Sequence, residues 1–449
     1  MSTRDCALRR EHLERIRVAA VDAVEPGRAV ARFLARDGDR LRAGETVIRL
    51  APGASVRLVA AGKAAAAMAS AASNVLGERL ERGVLVTKHG HLGGSELPPS
   101  VAVFEAGHPV PDESGRAGVA AVEELVAGRH EADTIVVLLS GGASALLADP
   151  AEALTLADLQ ETTGLLLRSG AAIGELNAVR KHLSRLKGGQ LARLAAPATV
   201  VALILSDVVG DPLDVIASGP TAPDPTTFSD AWDVVERRRL DESLPPGVRR
   251  RLRDGVEGRL PETPKPGDDL FARVTNVIVG SNRLAALAAA EAARALGYET
   301  LLLSTFVEGE AREIARVAAA LGRGVLAHAD PVAPPACLVL GGETTVTVRG
   351  SGRGGRNQEL ALAAALALAG VEGISVMALA TDGSDGPTDS SGAIVDGETA
   401  AAIRAGGIDP VRALLENDAY PALEAAGVQL HTGPTGTNVN DLLVVLAGA

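Results

Sequence analysis

VRLVAAGKAAAAMA, residues 56–69, decides the fold. An apolar run, Val56–Ala60, is followed by Gly62-Lys63 and then by an alanine-rich helical stretch. Apolar runs without polar alternation belong to strands covered on both faces, the mark of a parallel sheet between helices. The unit recurs at Val84–Thr87, Val101–Ala106, Thr134–Leu139 and Val200–Leu205, each run separated from the next by helical sequence. The pattern resumes at Val274–Val279 and Thr300–Ser304, then at Cys337–Leu340, Thr344–Val348, Ile374–Ala380 and Leu442–Leu446. The chain therefore reads as α/β with a largely parallel sheet. Upstream, Leu8, Leu13, Ile16, Ala20 and Val24 lie at helical spacing, Pro26-Gly27 breaks that helix, and a short second one can follow through Leu34. From Leu244 to Asp269 the composition shifts to Pro, Gly, Arg and Glu. This predicts a linker over residues 245–269 between domains at 1–244 and 270–449.

Composition narrows the function. Among 449 residues, 56 acidic side chains outnumber 44 basic ones, and aromatic residues make up only 2% against 47% hydrophobic. Cores must then be built from Ala, Val and Leu, with 50 glycines permitting close backbone approach. That mix excludes disorder, and two cysteines, Cys6 and Cys337, exclude a disulfide scaffold. Few aromatics and a net charge of −12 argue against nucleic acid as partner. The N-terminus is charged without an apolar core, and no apolar stretch approaches the roughly 20 residues that span a bilayer. The expectation is a cytoplasmic protein with small-molecule substrates and no membrane partner. An anionic ligand must find its positive charge locally.

In open α/β sheets, ligands bind beyond the carboxyl ends of strands, where amides at the next helix start are available. Six loops qualify. Gly62-Lys63 places an ammonium beside a helix N-terminus, although a solvated lysine in an ordinary turn would look the same; Ala64 and Arg57 exclude a Walker A loop. Ser140-Gly141-Gly142, ending an apolar strand, can form an amide cradle or a plain tight turn. Asp207 lies just past another strand, where it can hold Mg²⁺ or orient a hydroxyl, with Asp211 and Asp214 close behind. Gly350, Gly352 and Gly355 satisfy the dinucleotide pattern G-x-G-x-x-G, yet the strand before them alternates polar and apolar residues. That loop also carries Arg353 and Arg356, suited to charge on a transferring phosphoryl group, while Asn357 can cap the following helix. Asp382 and Asp385, each before a glycine, suit Mg²⁺ or a simple Asp-Gly turn. Thr435, Thr437, Asn438, Asn440 and Asp441 cluster before the last strand as ligand-facing groups or as a capped turn. His89, His91 and His108 have no partners at zinc spacing, and no G-x-S-x-G elbow exists.

Taken together, GKAAAAMA, TKHGH, GHPVPDES, LSGGASALL, VRKHLSRLKGGQLA, LSDVVGDPLDVIASGPT, GGETTVTVRGSGRGGRNQELALA, ATDGSDGPTDS and TGPTGTNVNDL resemble, in order, the glycerate 2-kinase family with a C-terminal MOFRL domain. The resemblance covers about residues 7–446, with His89 where an aromatic Tyr is expected. It implies a larger Rossmann-like three-layer α/β/α N-terminal domain and a smaller C-terminal α/β domain with a mixed sheet. The MOFRL region would span about 336–446, and the site would lie in the cleft between the domains. It implies transfer of the γ-phosphoryl of ATP to the 2-hydroxyl of D-glycerate, giving 2-phosphoglycerate, with ATP and Mg²⁺ as cofactors. A homodimer is compatible with it. Lys63 and Arg356 match the positions expected to matter most for catalysis. On this reading they hold the substrate carboxylate and the γ-phosphoryl, while Ser140, Gly141, Gly142, Arg353 and Asn357 contact substrate or phosphate. Asp207 orients or deprotonates the hydroxyl, and Asp382 and Asp385 ligate the metal. Family members are sometimes labelled hydroxypyruvate reductase, so an NAD(P)H-dependent reductase is the rival enzyme class. A non-catalytic small-anion binder is the third.

Overall fold

The computed structural model describes residues 3–448. Its contacts divide the chain into two units: an N-terminal one, Pro26–Ser206 with Asp211–Val279, and a C-terminal one that gathers the chain through Glu25, Asp207–Gly210 and everything from Gly280 onward.

The N-terminal unit starts with a small antiparallel meander, β1 (Leu34–Asp37), β2 (Arg40–Ala43) and β3 (Thr46–Arg49). The main sheet follows: β4 (Val56–Ala61), β5 (Leu80–Lys88), β6 (Val101–Ala106), β7 (Thr134–Leu139), β8 (Thr199–Leu205) and β9 (Val274–Gly280), in the order β6-β5-β4-β7-β8-β9. Pairings from β6 through β8 are parallel, and β7 is buried along its whole length, as its unbroken apolar run requires. After β4 the chain proceeds to β5 and β6 on one side, then returns to β7 and β8 on the other. The gap between β4 and β7 is thus the point where strand order reverses, the place such sheets offer to ligands.

The C-terminal unit holds β10 (Glu299–Glu310), β11 (Ala336–Thr345), β12 (Ile374–Ala380), β13 (Gly392–Asp396), β14 (Gln429–Leu430) and β15 (Asp441–Ala447), ordered β10-β11-β15-β12-β13-β14. Only β10 and β11 run parallel; every pairing from β11 through β14 is antiparallel. The sheet is therefore mixed, as the resemblance implied. Helix Arg356–Ala367 is buried from Asn357 through Ala365 and packs its alanines and leucines into the core of this unit. Among the described residues no helix is long and apolar enough to cross a membrane.

Three expectations need correction. Residues 245–269 are not a free linker: Pro246–Val256 is a helix that buries Val248 and Leu252 among Phe228, Ala231, Val235 and Val179. Gly255 is required there, because a Cβ would fall 2.1 Å from the Phe228 ring. The first helix, Thr3–Ala23, joins the C-terminal unit rather than the N-terminal one, with Arg9 Nε donating to Ser375 Oγ at 3.1 Å. The strand expected at Thr344–Val348 is the end of β11, which leaves the sheet after Thr345.

Leu252 is fully buried, so Leu252→Ala should cost about 2–5 kcal/mol in a denaturant titration. A linker residue would stay within about 0.5 kcal/mol.

Candidate active site

In the N-terminal unit, the loops after β4 and β7 are knitted together. Gly62 has φ +128°, and a Cβ there would sit 2.1 Å from Ser140 Oγ, so only glycine fits. The Lys63 amide donates to the Gly141 carbonyl at 2.9 Å, and the Ala64 amide to Ser140 Oγ at 3.1 Å. Thr87 Oγ1 donates to the Gly62 carbonyl at 3.0 Å, tying in β5. Gly142 adopts a left-handed conformation, φ 86°, before helix Ala143–Leu146. Ser140 is buried and its hydroxyl is already an acceptor, so its role in the turn is structural as well.

Around this turn gather groups to which the sequence reading gave no ligand-binding role. A Cβ on Gly142 would lie 3.2 Å from His108 Nε2 and 3.4 Å from Lys63 Cγ, so the imidazole and the lysine stem flank the same glycine. Burial, together with Lys63, Lys88 and His91, lowers the His108 pKa below its ordinary value. Burial and Lys88 act likewise on His91, which also has a backbone contact with Lys63. Four basic groups thus share one strand-end basin, and among the described residues no carboxylate pairs with any of them. The signal available in the sequence was position: Lys88 ends β5 and His108 stands two residues past β6. Asp207 follows β8 by two residues and groups with the C-terminal unit.

In the C-terminal unit, charge is balanced. Arg356 opens its helix, and its guanidinium meets Asp441 at 2.6 and 3.1 Å and Glu343 at 2.6 Å. Burial works against that charge, but Asp441 and Glu343 hold Arg356 firmly protonated. Asp441 is itself pushed up to about 6 by burial, Arg356 and Asn357 working the other way. Glu343 was missed, and Asp441 was read only as one of a polar cluster before the last strand; Asp441 faces Gly342 across the β11–β15 ladder, next to Glu343. Asp385, buried, accepts from the Asn357 amide at 3.1 Å and the Gln358 amide at 2.9 Å, so its carboxylate caps the helix. Burial raises its pKa against those bonds. Asn357 spends its side-chain amide on Asp441 at 2.9 Å and on Asp385. Arg353 stacks its guanidinium 4.1 Å from the Tyr420 ring centre, on the exposed side of the loop.

The glycine pattern is explained by chain packing. A Cβ at Gly350 would strike the Glu416 backbone and one at Gly352 the Asp418 backbone and Cβ, while Gly355 lies against Asp385. Asn417 Oδ1 accepts from the Arg349 and Gly350 amides at 2.7 and 3.1 Å. These glycines admit a distant loop rather than a pyrophosphate. Thr435 and Thr437 hydroxyls likewise serve the backbone, donating to the Thr381 and Val24 carbonyls at 2.6 and 2.7 Å.

A cavity of about 470 Å³ is lined by Val346, Val348, Gly355, Arg356, Asp382 and Asp385, among others. Among the described residues no three His, Cys, Asp or Glu converge as a metal cage. Asp382 is half-buried and accepts from the Ser384 amide at 3.0 Å, whereas the Asp385 carboxylate is taken up by the amides of the helix start. Asp385→Ala should therefore destabilise the C-terminal unit by about 1–3 kcal/mol through orphaned amides. Asp382→Ala should leave stability within about 0.5 kcal/mol, both read by denaturant titration.

Comparison with known proteins places this geometry. The domain of unknown function DUF4147 matches residues 12–253 and the MOFRL family residues 336–441. The chain is 47% identical over 392 residues to a protein named D-glycerate 2-kinase from Thermotoga maritima, covering 87% of this chain and 90% of that one. A relative from Agrobacterium vitis, 42% identical over 98% of this chain and 94% of its own, is named only provisionally, as a hydroxypyruvate reductase. The crystal structure of a glycerate kinase from Thermotoga maritima superposes with a TM-score of 0.87 at 43% identity, over 97% of this chain and 99% of that one. The chain belongs to the glycerate 2-kinase family, built from a DUF4147 domain and a C-terminal MOFRL domain.

Proposed function

We propose that this protein transfers the γ-phosphoryl of ATP to the 2-hydroxyl of D-glycerate, giving 2-phosphoglycerate and ADP in a cytoplasmic setting. The observation that carries this reading is the identity of 47% to a protein named D-glycerate 2-kinase over nine-tenths of that protein's length. Local chemistry agrees with it. Phosphoryl transfer asks a protein for positioning and for stabilisation of charge more than for covalent chemistry. A basin of Lys63, Lys88, His91 and His108 without an acidic partner among the described residues suits a carboxylate or phosphate. Lys63 leaves a backbone fixed on both sides by the Gly141 and Ser140 loop, so its ammonium starts from a defined place.

Lys63 and Arg356 serve the substrate carboxylate and the charge on the γ-phosphoryl. Arg356 is held ready by Asp441 and Glu343, so little ordering is left for the moment of reaction. The Gly141 and Gly142 amides, beyond the end of β7, supply further positive dipoles. Asn357 keeps Asp441 in place, and Arg353 offers an exposed cation at the loop edge. Mg²⁺, arriving with the nucleotide and touching Asp382, would supply charge neutralisation across the phosphates. The reductase reading has no such support, since Gly350 and Gly352 pack against Glu416 and Asp418 and Gly355 against Asp385.

With D-glycerate, ATP and Mg²⁺ the protein should release ADP. Lys63→Ala and Arg356→Ala, each folded by circular dichroism, should lose about 10²–10³ in kcat/KM. Oxidation of NADH by hydroxypyruvate with no ADP from glycerate would overturn the proposal, and so would wild-type kcat/KM in both variants.

A further inference from the structure

We infer that His108 is the general base of the reaction, taking the proton of the attacking hydroxyl; this rests on the kinase reading above. His108 sits two residues past β6, and its Nε2 edge faces Gly142, 3.2 Å from where a Cβ would stand. The Lys63 stem flanks the same glycine. The ring is half-buried, yet among the described residues neither of its nitrogens has a hydrogen-bond partner in the protein. Half-buried histidines usually fix their tautomer with a carbonyl or carboxylate. Here that capacity is left for a ligand.

The groups facing His108 are all basic: Lys63 from the turn after β4, Lys88 at the end of β5, and His91 just beyond it. Asp112, in the same segment as His108, is engaged elsewhere, by the Gly115 amide at 2.9 Å and by His89 at 3.3 Å. An unprotonated imidazole is the form such surroundings favour, and burial adds to it. The basin therefore combines fixed cations, which draw an anionic substrate in, with one base that stays neutral at working pH. Asp207, placed by its strand-end position as the group that would orient the hydroxyl, has interactions of its own.

The step balances without another reagent. The O–H bond of the substrate hydroxyl breaks, its proton passing to His108 Nε2 and its electron pair forming the bond to the γ-phosphorus. The bond between that phosphorus and the β,γ-bridging oxygen breaks, and its electrons leave on ADP. His108 then returns its proton to solvent, ready for the next turnover.

The test compares His108→Gln, Asp207→Asn and the unaltered chain, scored by ADP release across pH. A general base contributes about 10²–10⁴-fold. His108→Gln should lower kcat at least about a hundredfold while changing KM for ATP little. In the unaltered chain kcat/KM should fall on the acid side, below the ordinary histidine value of about 6.5, because protonation removes the base. His108→Gln should lack that limb, Asp207→Asn should keep it, and added imidazole should restore activity to His108→Ala. A His108→Gln enzyme with wild-type kcat, or one that retains the acid limb, overturns the inference and leaves the kinase reading standing. No ADP from the unaltered chain overturns both. Should the variants not fold, ring ¹⁵N resonances of the unaltered chain decide: D-glycerate should shift those of His108, and unchanged resonances at saturation contradict its role.

Discussion

The contact of Gly62 with Ser140 is the constraint on which the ligand-facing edge of the N-terminal unit depends. Two parallel strands, β4 and β7, lie side by side where the strand order reverses, and their outgoing loops approach so closely that no side chain fits at Gly62. The approach is locked by the Lys63 amide on Gly141, the Ala64 amide on Ser140 Oγ and the Thr87 hydroxyl on Gly62. A lysine rooted in such a turn loses less freedom when it grips an anion, because its backbone is already fixed. Beside it, the His108 ring and the Lys63 stem close around Gly142.

The C-terminal unit meets a related demand by the opposite means. Its arginine is clasped between Asp441 and Glu343, and its helix N-terminus is satisfied by Asp385. A buried carboxylate pushed up to about 6 beside a guanidinium is a network in which desolvation outweighs the attraction at the carboxylate. Such a network orders Arg356 rather than freeing it. One unit thus offers uncompensated positive charge, and the other offers a single cation of defined direction. A net charge of −12 does not forbid an anionic ligand in the N-terminal unit, since among the described residues no acid is paired to the basin.

Much of the fold was legible because burial writes itself into composition. Thr134–Leu139, Val101–Ala106 and Ile374–Ala380 were delimited to the residue, each an apolar run with polar or glycine-rich flanks. The meander β1–β3 was not, since its strands have four residues each and carry arginines on their exposed face. Helix Pro246–Val256 hid behind its arginines and Pro-Gly start, although Val248 and Leu252 lie at helical spacing. Candidate site positions were readable from local sequence, Lys63 just past a strand and Arg356 at a helix start. Their partners were not, being remote in sequence: Asp441 is 85 positions from Arg356, and the loop packed against Gly350 and Gly352 lies at 416–418. His108 was weighed only against zinc chemistry, for which it has no companions; its meaning comes from the lysines that folding brings to it.

The central claim is that this protein phosphorylates a small hydroxy acid at the hydroxyl beside its carboxylate. The most direct measurement is ³¹P and ¹³C NMR of the product formed from ¹³C-labelled D-glycerate and ATP. The account predicts a phosphorus with its two-bond coupling to C2 and three-bond couplings to C1 and C3, the signature of 2-phosphoglycerate. A two-bond coupling to C3 with none to C1, or glycerate recovered unchanged while ATP persists, would contradict it.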